Sequence, residues 1–393
     1  MRMHKPYQPF LAALTLAFSA TAFAQANPDA EFCAGSAGTA DERVAACTRA
    51  ITSGKLSTRS LAVAFYNRGV EWTSKRDWDR AIADYTEALR HNPLDADSHN
   101  NRGNAFSDKR EYDKAIADYN EAIRLKPNDP TPYNGRGNAV RNKGDYDRAI
   151  ADYDEALRLN PKYAIAFNNR GLAWASKRDY ERAITDYSEA LRINPQYAIA
   201  YNNRGISLRN KGEFERSIAD YNEAIRLNPQ YAIAFNNRGY AWATRKDQDR
   251  AISDFNEALR MNPQYALAFN NRGDAWKAKG DFQRMMADYT EAVRIDPENA
   301  EFVHDLAWEL AANRNDKIRN GIRAVELARK VCELTQWKNA NYIDTLAAAY
   351  AEAGQFAEAV RWQEKALEDA GIAKNAGSRR RLALYKEGKA FRE

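Results

Sequence analysis

The side chains best suited to chemistry in this sequence are amides and guanidiniums, and they recur. Asparagine stands at Asn67, Asn101, Asn169, Asn203, Asn237 and Asn271, with Gly135 interrupting the series. A second asparagine stands directly before most of these positions, at Asn100, Asn134, Asn168, Asn202, Asn236 and Asn270. Asparagine is a mediocre helix former, so helix propensity does not explain this usage. A side-chain amide offers one acceptor and two donors and can match both polar groups of a peptide backbone. Repeated once per unit, it would make a ladder that reads an extended chain without regard to its side chains. The same amides could instead bond their own framework, and the sequence leaves both readings open.

An arginine follows each position of the series: Arg68, Arg102, Arg136, Arg170, Arg204, Arg238 and Arg272. An aspartate is equally regular, at Asp84, Asp118, Asp152, Asp186, Asp220, Asp254 and Asp288. The two columns read as an ion-pair ladder between helices, where fixed planar geometry favours arginine over lysine. The alternative is a cationic track for a ligand.

Other chemistry is not indicated. Outside the first 24 residues the histidines are His91, His99 and His304, which share no metal-ligand spacing. No Gly-rich phosphate loop, G-x-S-x-G or H-E-x-x-H is present. The carboxylates are periodic, as surface or ladder positions are. We therefore expect no catalytic residues, metal or cofactor, and a protein that is not an enzyme. The formal charge is +5, or +3 without Arg2 and Lys5, and basic residues alternate with acidic ones. Such a balance gives no ground for nucleic-acid binding.

These columns must be positioned by a repeat. The glycine after the arginine falls at Gly69, Gly103, Gly137, Gly171, Gly205, Gly239 and Gly273, every step being 34 residues. A period of this size means a solenoid or similar array. Each unit holds two helical patterns, for example Ala164 to Ser176 and about Asp179 to Ile193. Gly144, Gly212 and Gly280 suit a left-handed helix end, and Arg or Lys takes that place in other units. An acidic residue (Asp77, Glu111, Asp145, Asp179, Glu213, Asp247, Asp281) opens the second helix and can cap it. Proline, at Pro93, Pro127, Pro161, Pro195, Pro229, Pro263 and Pro297, bars that helix from continuing and can begin the next. Small residues such as Ala183 and Ala190 alternate with large ones such as Tyr187, the pattern of helices that stack knob against gap. One such pair cannot bury its faces alone, whereas stacked pairs can.

Residues 166–195, "AFNNRGLAWASKRDYERAITDYSEALRINP", carry a family resemblance. Phe167, Gly171, Trp174, Tyr180, Ala183, Tyr187, Ala190 and Pro195 match the framework of the tetratricopeptide repeat. The likeness covers residues 62–299 as seven repeats, with two degenerate repeats over 300–373 and an insertion near Asn313 to Asn320. The resemblance implies an all-α fold, a right-handed α-solenoid of antiparallel helix pairs whose concave face binds proteins. The column of Val70, Asn104, Asn138, Leu172, Ile206, Tyr240 and Asp274 faces the groove in that family. So does the column of Thr73, Ser107, Arg141, Ala175, Arg209, Ala243 and Lys277. The expected groove residues are thus the asparagines, with Asn168, Asn202 and Asn236, and Arg141, Arg209, Tyr240 and Lys277. The arginine column departs from the family, which usually has leucine there. The asparagine column resembles the ladder inside the superhelix of the protein O-GlcNAc transferases; that likeness covers the ladder only, as no glycosyltransferase domain is read in the residues that follow.

The ends complete the reading. Residues 1–24 have a basic start, a short apolar run from Phe10 to Ala20, and Ala22-Phe23-Ala24 before Gln25, the pattern of a secretory signal cleaved between Ala24 and Gln25. Export to the periplasm of a Gram-negative cell, or secretion otherwise, is expected, with no transmembrane segment afterwards. An oxidising compartment makes a Cys33–Cys47 disulfide reasonable in the capping segment 25–61. Cys332 reads as a buried small hydrophobe, and residues 374–393 as a terminal capping helix. The expected role is a protein-interaction adaptor of the cell envelope. Two alternatives are an assembly factor for envelope polysaccharide or peptidoglycan machinery working through its convex or terminal surfaces, and a glycan-binding module.

Overall fold

A computed structural model describes residues 28–393, all of whose regular structure is helical. The signal sequence and its cleavage site at Ala24 and Gln25 lie outside the described residues. The described chain divides into two compact units, residues 28–211 and Gly212–Glu393.

The first unit holds α1 (Pro28–Ala34), α2 (Ala40–Thr52), α3 (Thr58–Ser74), α4 (Trp78–His91), α5 (Ala96–Asp108), α6 (Tyr112–Leu125), α7 (Pro130–Asn142), α8 (Tyr146–Leu159), α9 (Ala164–Ser176), α10 (Tyr180–Ile193) and α11 (Ala198–Asn210). From α3 onward, first and second helices of a pair alternate. Each packs antiparallel on its partner across a turn of three residues, and each pair packs on the next across four. Successive first helices also touch, α3 with α5, α5 with α7, α7 with α9 and α9 with α11. A stack closer-set along its first helices curves with those helices inside. In this unit, then, α3, α5, α7, α9 and α11 line the inner face.

The second unit holds α12 (Phe214–Leu227), α13 (Ala232–Thr244), α14 (Gln248–Met261), α15 (Ala266–Ala278), α16 (Phe282–Ile295), α17 (Ala300–Ala312), α18 (Gly321–Leu334), α19 (Ala340–Glu352), α20 (Phe356–Ala366), α21 (Ala370–Lys374) and α22 (Ala376–Lys386). Its inner helices are α13, α15, α17 and α19, with α13 touching α15 and α17 packed on α19.

The periodic residues explain the elements. Asp77, Asp145, Asp179, Asp247 and Asp281 each accept the backbone N–H three residues on, capping the second helix. Glu111 and Glu213 do not cap; their longer side chains pair instead with Lys114 and Arg216. The first helix ends on a left-handed residue: Gly144, Gly212 and Gly280 at φ 90°, 83° and 77°, and Arg76, Arg110, Arg178 and Lys246 near 60°. The repeat prolines stop the second helix but do not start the next, which begins three residues later, as from Pro195 to Ala198. Close contact needs the small columns. A Cβ on Gly171 would come within 2.7 Å of the Tyr187 ring, and one on Gly239 within 2.8 Å of Phe255. Tyr85, Tyr119, Tyr153 and Tyr187 are almost wholly buried beneath those glycines.

At the first end, Cys33 and Cys47 are joined as a disulfide with their Cα atoms 4.7 Å apart, tying α1 to α2. Arg43 on α2 grips Glu71 of α3 through two bonds of 2.7 and 2.8 Å. At the other end the inserted loop 313–320 is tied down by Arg319, which reaches the Asn313 carbonyl at 2.8 Å and Glu352 at 3.0 Å. The free Cys332 is buried, and that burial pushes its thiol up to about 12. The terminal helix is shorter than the sequence suggests. It ends at Lys386, Gly388 turns the chain at φ 70°, and the residues after it are not helical.

Candidate functional site

The arginine and aspartate columns meet within each pair. Arg170 on α9 donates Nε and Nη2 to Asp186 on α10 at 2.8 and 2.6 Å. The same fork joins Arg68 to Asp84, Arg102 to Asp118, Arg136 to Asp152, Arg238 to Asp254 and Arg272 to Asp288. The third nitrogen reaches back one repeat. Arg102 bonds Thr86, Arg136 Asn120, Arg170 Asp154, Arg238 Asn222 and Arg272 Asn256. One guanidinium therefore clamps its own hairpin and staples it to the preceding one. Burial works to raise the Asp118 carboxyl, but Arg102 and His99, both bonded to it, outweigh that and hold it below the ordinary range. The column is structural, and only its edges face solvent.

A further ladder was not read from the sequence. The residue capping each first helix pairs with an acid on the preceding second helix: Lys109 with Asp79, Lys143 with Asp113, Lys177 with Asp147, Arg245 with Glu215 and Lys279 with Asp249. A constant spacing of 30 residues was its signal. Its acidic members looked like ordinary solvated surface.

The asparagines bond one another. Asn169 donates to Asn134 at 3.0 Å and Asn203 to Asn168 at 2.9 Å in the first unit, and Asn271 to Asn236 at 2.9 Å in the second. Each bond joins two first helices of successive repeats. Asn101, whose counterpart 35 residues earlier is Tyr66 in place of an asparagine, donates to that hydroxyl at 3.1 Å. Where Gly135 breaks the series, the Oδ1 of Asn100 is buried without a hydrogen-bond partner. Asn168, Asn169, Asn202, Asn236, Asn270 and Asn271 are under 9% exposed. The members that reach the inner surface are the half-buried Asn67, Asn101, Asn203 and Asn237.

Within each unit the neighbouring columns line the inner face and are more open. Asn104 and Asn138 accept the buried hydroxyls of Tyr119 and Tyr153 at 2.7 and 2.8 Å. Tyr240 and Ile199 are each 45% exposed. Arg141 and Arg209 are half-buried on α7 and α11. Lys277, expected as a charge on an open groove, is instead taken up within the chain. Its ammonium lies 2.6 Å from Glu309 and 3.2 Å from Glu393.

The second unit also holds a polar cluster at α15 and α17. Asn270 donates to Asp305 at 3.1 Å, and the Tyr289 hydroxyl donates to Asp274 at 2.5 Å. Burial pushes Asp305 up to about 7, with Asp274 and Glu301 adding to the rise. Burial pushes the adjacent His304, in contact with Thr345 and Tyr342, down to about 4. Among the described residues no group of three or more His, Cys, Asp or Glu could hold a metal ion. Among the same residues no helix is long and apolar enough to cross a membrane.

Hairpins stacked and clamped in this way define an α-solenoid. The tetratricopeptide repeat family matches residues 74–130, 134–198, 202–266 and 249–300, more than half of the chain, and again at 340–370. The chain belongs to that family, whose members are generally non-enzymatic scaffolds that bind protein partners. No curated protein matches it in sequence. A tetratricopeptide repeat protein from Parabacteroides merdae ATCC 43184 is similar in structure at TM-score 0.51 and 20% identity, over 61% of this chain and 95% of that one. The Cut9–Hcn1 hetero-tetramer of APC/C is similar at TM-score 0.54 and 15% identity, over 82% of this chain and 62% of that one. YrrB, described as having an unusual peptide-binding site, is 24% identical over 48% of this chain and 96% of that one, at TM-score 0.39. These likenesses concern the fold.

Proposed function

We propose that this protein is a non-enzymatic adaptor of the cell envelope that holds an extended peptide, or an extended segment of a partner protein, on the inner face of its first helices. The observation that carries the reading is a division of labour on that face. The glycine, alanine, arginine and buried asparagine columns are engaged in the stack, whereas the columns through Tyr240, Arg141 and Arg209 differ between repeats and include a tyrosine 45% exposed. A face whose supports are identical and whose open positions vary is suited to reading side chains. Because hairpins already hold it in place, little ordering is needed on binding. The envelope assignment rests on the basic, apolar and small-residue pattern of residues 1–24 and on the cysteine pair.

The test is site-specific photo-crosslinking in an envelope extract. A photoreactive residue replaces Tyr240 on the inner face or Arg260 on the outer surface of α14. The reading expects a discrete crosslinked partner from position 240 that is absent from position 260. Crosslinks from position 260 alone would place the partner on the outer surface and end the proposal.

A further inference from the structure

After Gly388 the chain has no regular structure and lies against the inner helices of the second unit, and its contacts follow the repeat. Glu393 donates its backbone N–H to the Ala312 carbonyl at 2.9 Å, one of the carbonyls at the end of α17 that no helical N–H can satisfy. Its carboxylate accepts from the indole Nε1 of Trp308 at 3.3 Å and lies 3.2 Å from the Lys277 ammonium on α15. Arg392 pairs with Glu352 at the end of α19 at 2.7 Å. The Phe391 ring stands 6.2 Å from that of Trp308, and the Arg381 guanidinium lies over both rings, 5.3 and 5.4 Å from their centres. Arg381 is itself fixed by Asp344 at 2.6 Å. Three consecutive residues thus engage three successive inner helices by a main-chain bond, two ion pairs and an aromatic contact.

The positions used are the variable ones. Trp308 stands one repeat beyond Asp274 and two beyond Tyr240, and Lys277 closes the column of Arg141 and Arg209. We propose that Lys277, Trp308, Ala312 and Glu352 form a recognition site for an extended aromatic–basic–acidic segment, that residues 391–393 are its resident occupant, and that a partner carrying the same pattern must displace them. The inference rests on the reading that the inner face holds extended peptides and adds a specificity and a gate. A segment tethered by a few residues acts at an effective concentration in the millimolar range, so a partner binds only in the fraction of time the site is vacated.

The test uses the full chain and a fluorescent peptide with the sequence of residues 385–393, followed by anisotropy. Replacing Arg392→Glu and Glu393→Lys together weakens the resident segment and leaves the site intact. The peptide is expected to bind this variant at least tenfold more tightly than the unaltered protein. Adding Trp308→Ala to the variant is expected to abolish binding. Adding Glu352→Arg is expected to return it toward the unaltered level, because the peptide's own arginine loses its acidic partner in the site. Equal binding to variant and unaltered protein, or no binding to a variant whose circular dichroism is unchanged, overturns the proposal. If the double substitution unsettles the fold, hydrogen exchange on the unaltered chain decides. Saturating peptide should accelerate exchange at the Glu393 amide, and unchanged protection overturns the proposal. Because the probe has a defined sequence, failure here leaves the crosslinking result at Tyr240 untouched, and failure there does not alter this one.

Discussion

Asn270 donates its amide to Asp305 across 3.1 Å, and this rung points the opposite way to its neighbours. From Asn169 to Asn134, Asn203 to Asn168 and Asn271 to Asn236, the later repeat donates to the earlier. Asp305 occupies the place one repeat beyond Asn271 and has no amide N–H to give back to the earlier repeat. The contact is made by the Nδ2 of Asn270, which can only donate, and the Oδ1 of Asn270 is left buried without a hydrogen-bond partner. The reversal places a carboxylate where the array elsewhere has a neutral amide, beside Asp274 and Glu301.

A pH experiment follows from that carboxylate and from His304 next to it. Asp305 is pushed up to about 7 by burial, so between roughly pH 4 and 7 the folded chain holds a proton that the unfolded chain has released. Over that window its contribution to stability falls as pH rises. His304 is pushed down to about 4 by burial, so between about 4 and 6.5 the unfolded chain holds the extra proton. Its contribution rises with pH over nearly the same range. Each slope is about 1.4 kcal/mol per pH unit at most, and the two oppose each other. The unaltered protein should change little in stability from pH 4.5 to 6.5 through this pair. Asp305→Asn should expose a rising slope and His304→Leu a falling one. Urea denaturation at several pH values checks both, and parallel pH profiles for the two variants would refute the pairing.

The arginine clamp makes a sharper stability prediction. Arg170→Leu restores the residue usual in the family but strands Asp186, which is 4% exposed, without its fork. Removing one partner of a buried pair typically costs about 3–5 kcal/mol. Arg170→Leu with Asp186→Leu leaves no uncompensated charge and should recover most of that loss. A double-mutant cycle by chemical denaturation measures the coupling, and additive effects would show that the two columns act separately.

Much of this was legible from the sequence because a period of 34 residues turns one chain into seven aligned copies. Helix α9 was read as Ala164 to Ser176 and is found there, since a left-handed Arg178 and the Asp179 cap mark the turn after it. Arg170 and Asp186 were paired correctly because both columns are unbroken and complementary. The asparagines left two readings open. Their bonds connect the first residue of one "NN" to the second of the next, a spacing of 35 that comparing single columns does not reveal. Phe391, Arg392 and Glu393 gave no signal at all. They belong to no repeat, and their partners Lys277, Trp308 and Glu352 lie far off in the chain.

The terminal disulfide should be worth measuring on its own. Cys33 and Cys47 close a loop of 14 residues between α1 and α2, for which chain entropy suggests about 3 kcal/mol. α1 packs mainly on α2 and α3, so its loss should be local. Cys47→Ser should speed hydrogen exchange in α1 and α2 while leaving α5 to α11 protected. An equal loss of protection throughout residues 28–211 would contradict a local cap.

The asparagine rungs join neighbouring repeats, so their removal should weaken the interface between hairpins more than the hairpins themselves. Asn168→Ala leaves the Asn203 amide, itself half-buried, without the acceptor it now reaches at 2.9 Å. A fully buried unmatched donor costs about 1–3 kcal/mol, and partial access to water puts this one at the low end. In an array whose stability is a sum of units and nearest-neighbour interfaces, that cost falls between α9 and α11. The denaturation transition should broaden, with its denaturant slope reduced as the two sides of the broken rung begin to unfold apart. Asn168→Asp keeps an acceptor for Asn203 and should retain more of the interface than alanine does. Equal destabilisation by Asp and Ala, with an unchanged slope, would mean that the rung bond contributes nothing beyond the packing of the side chain.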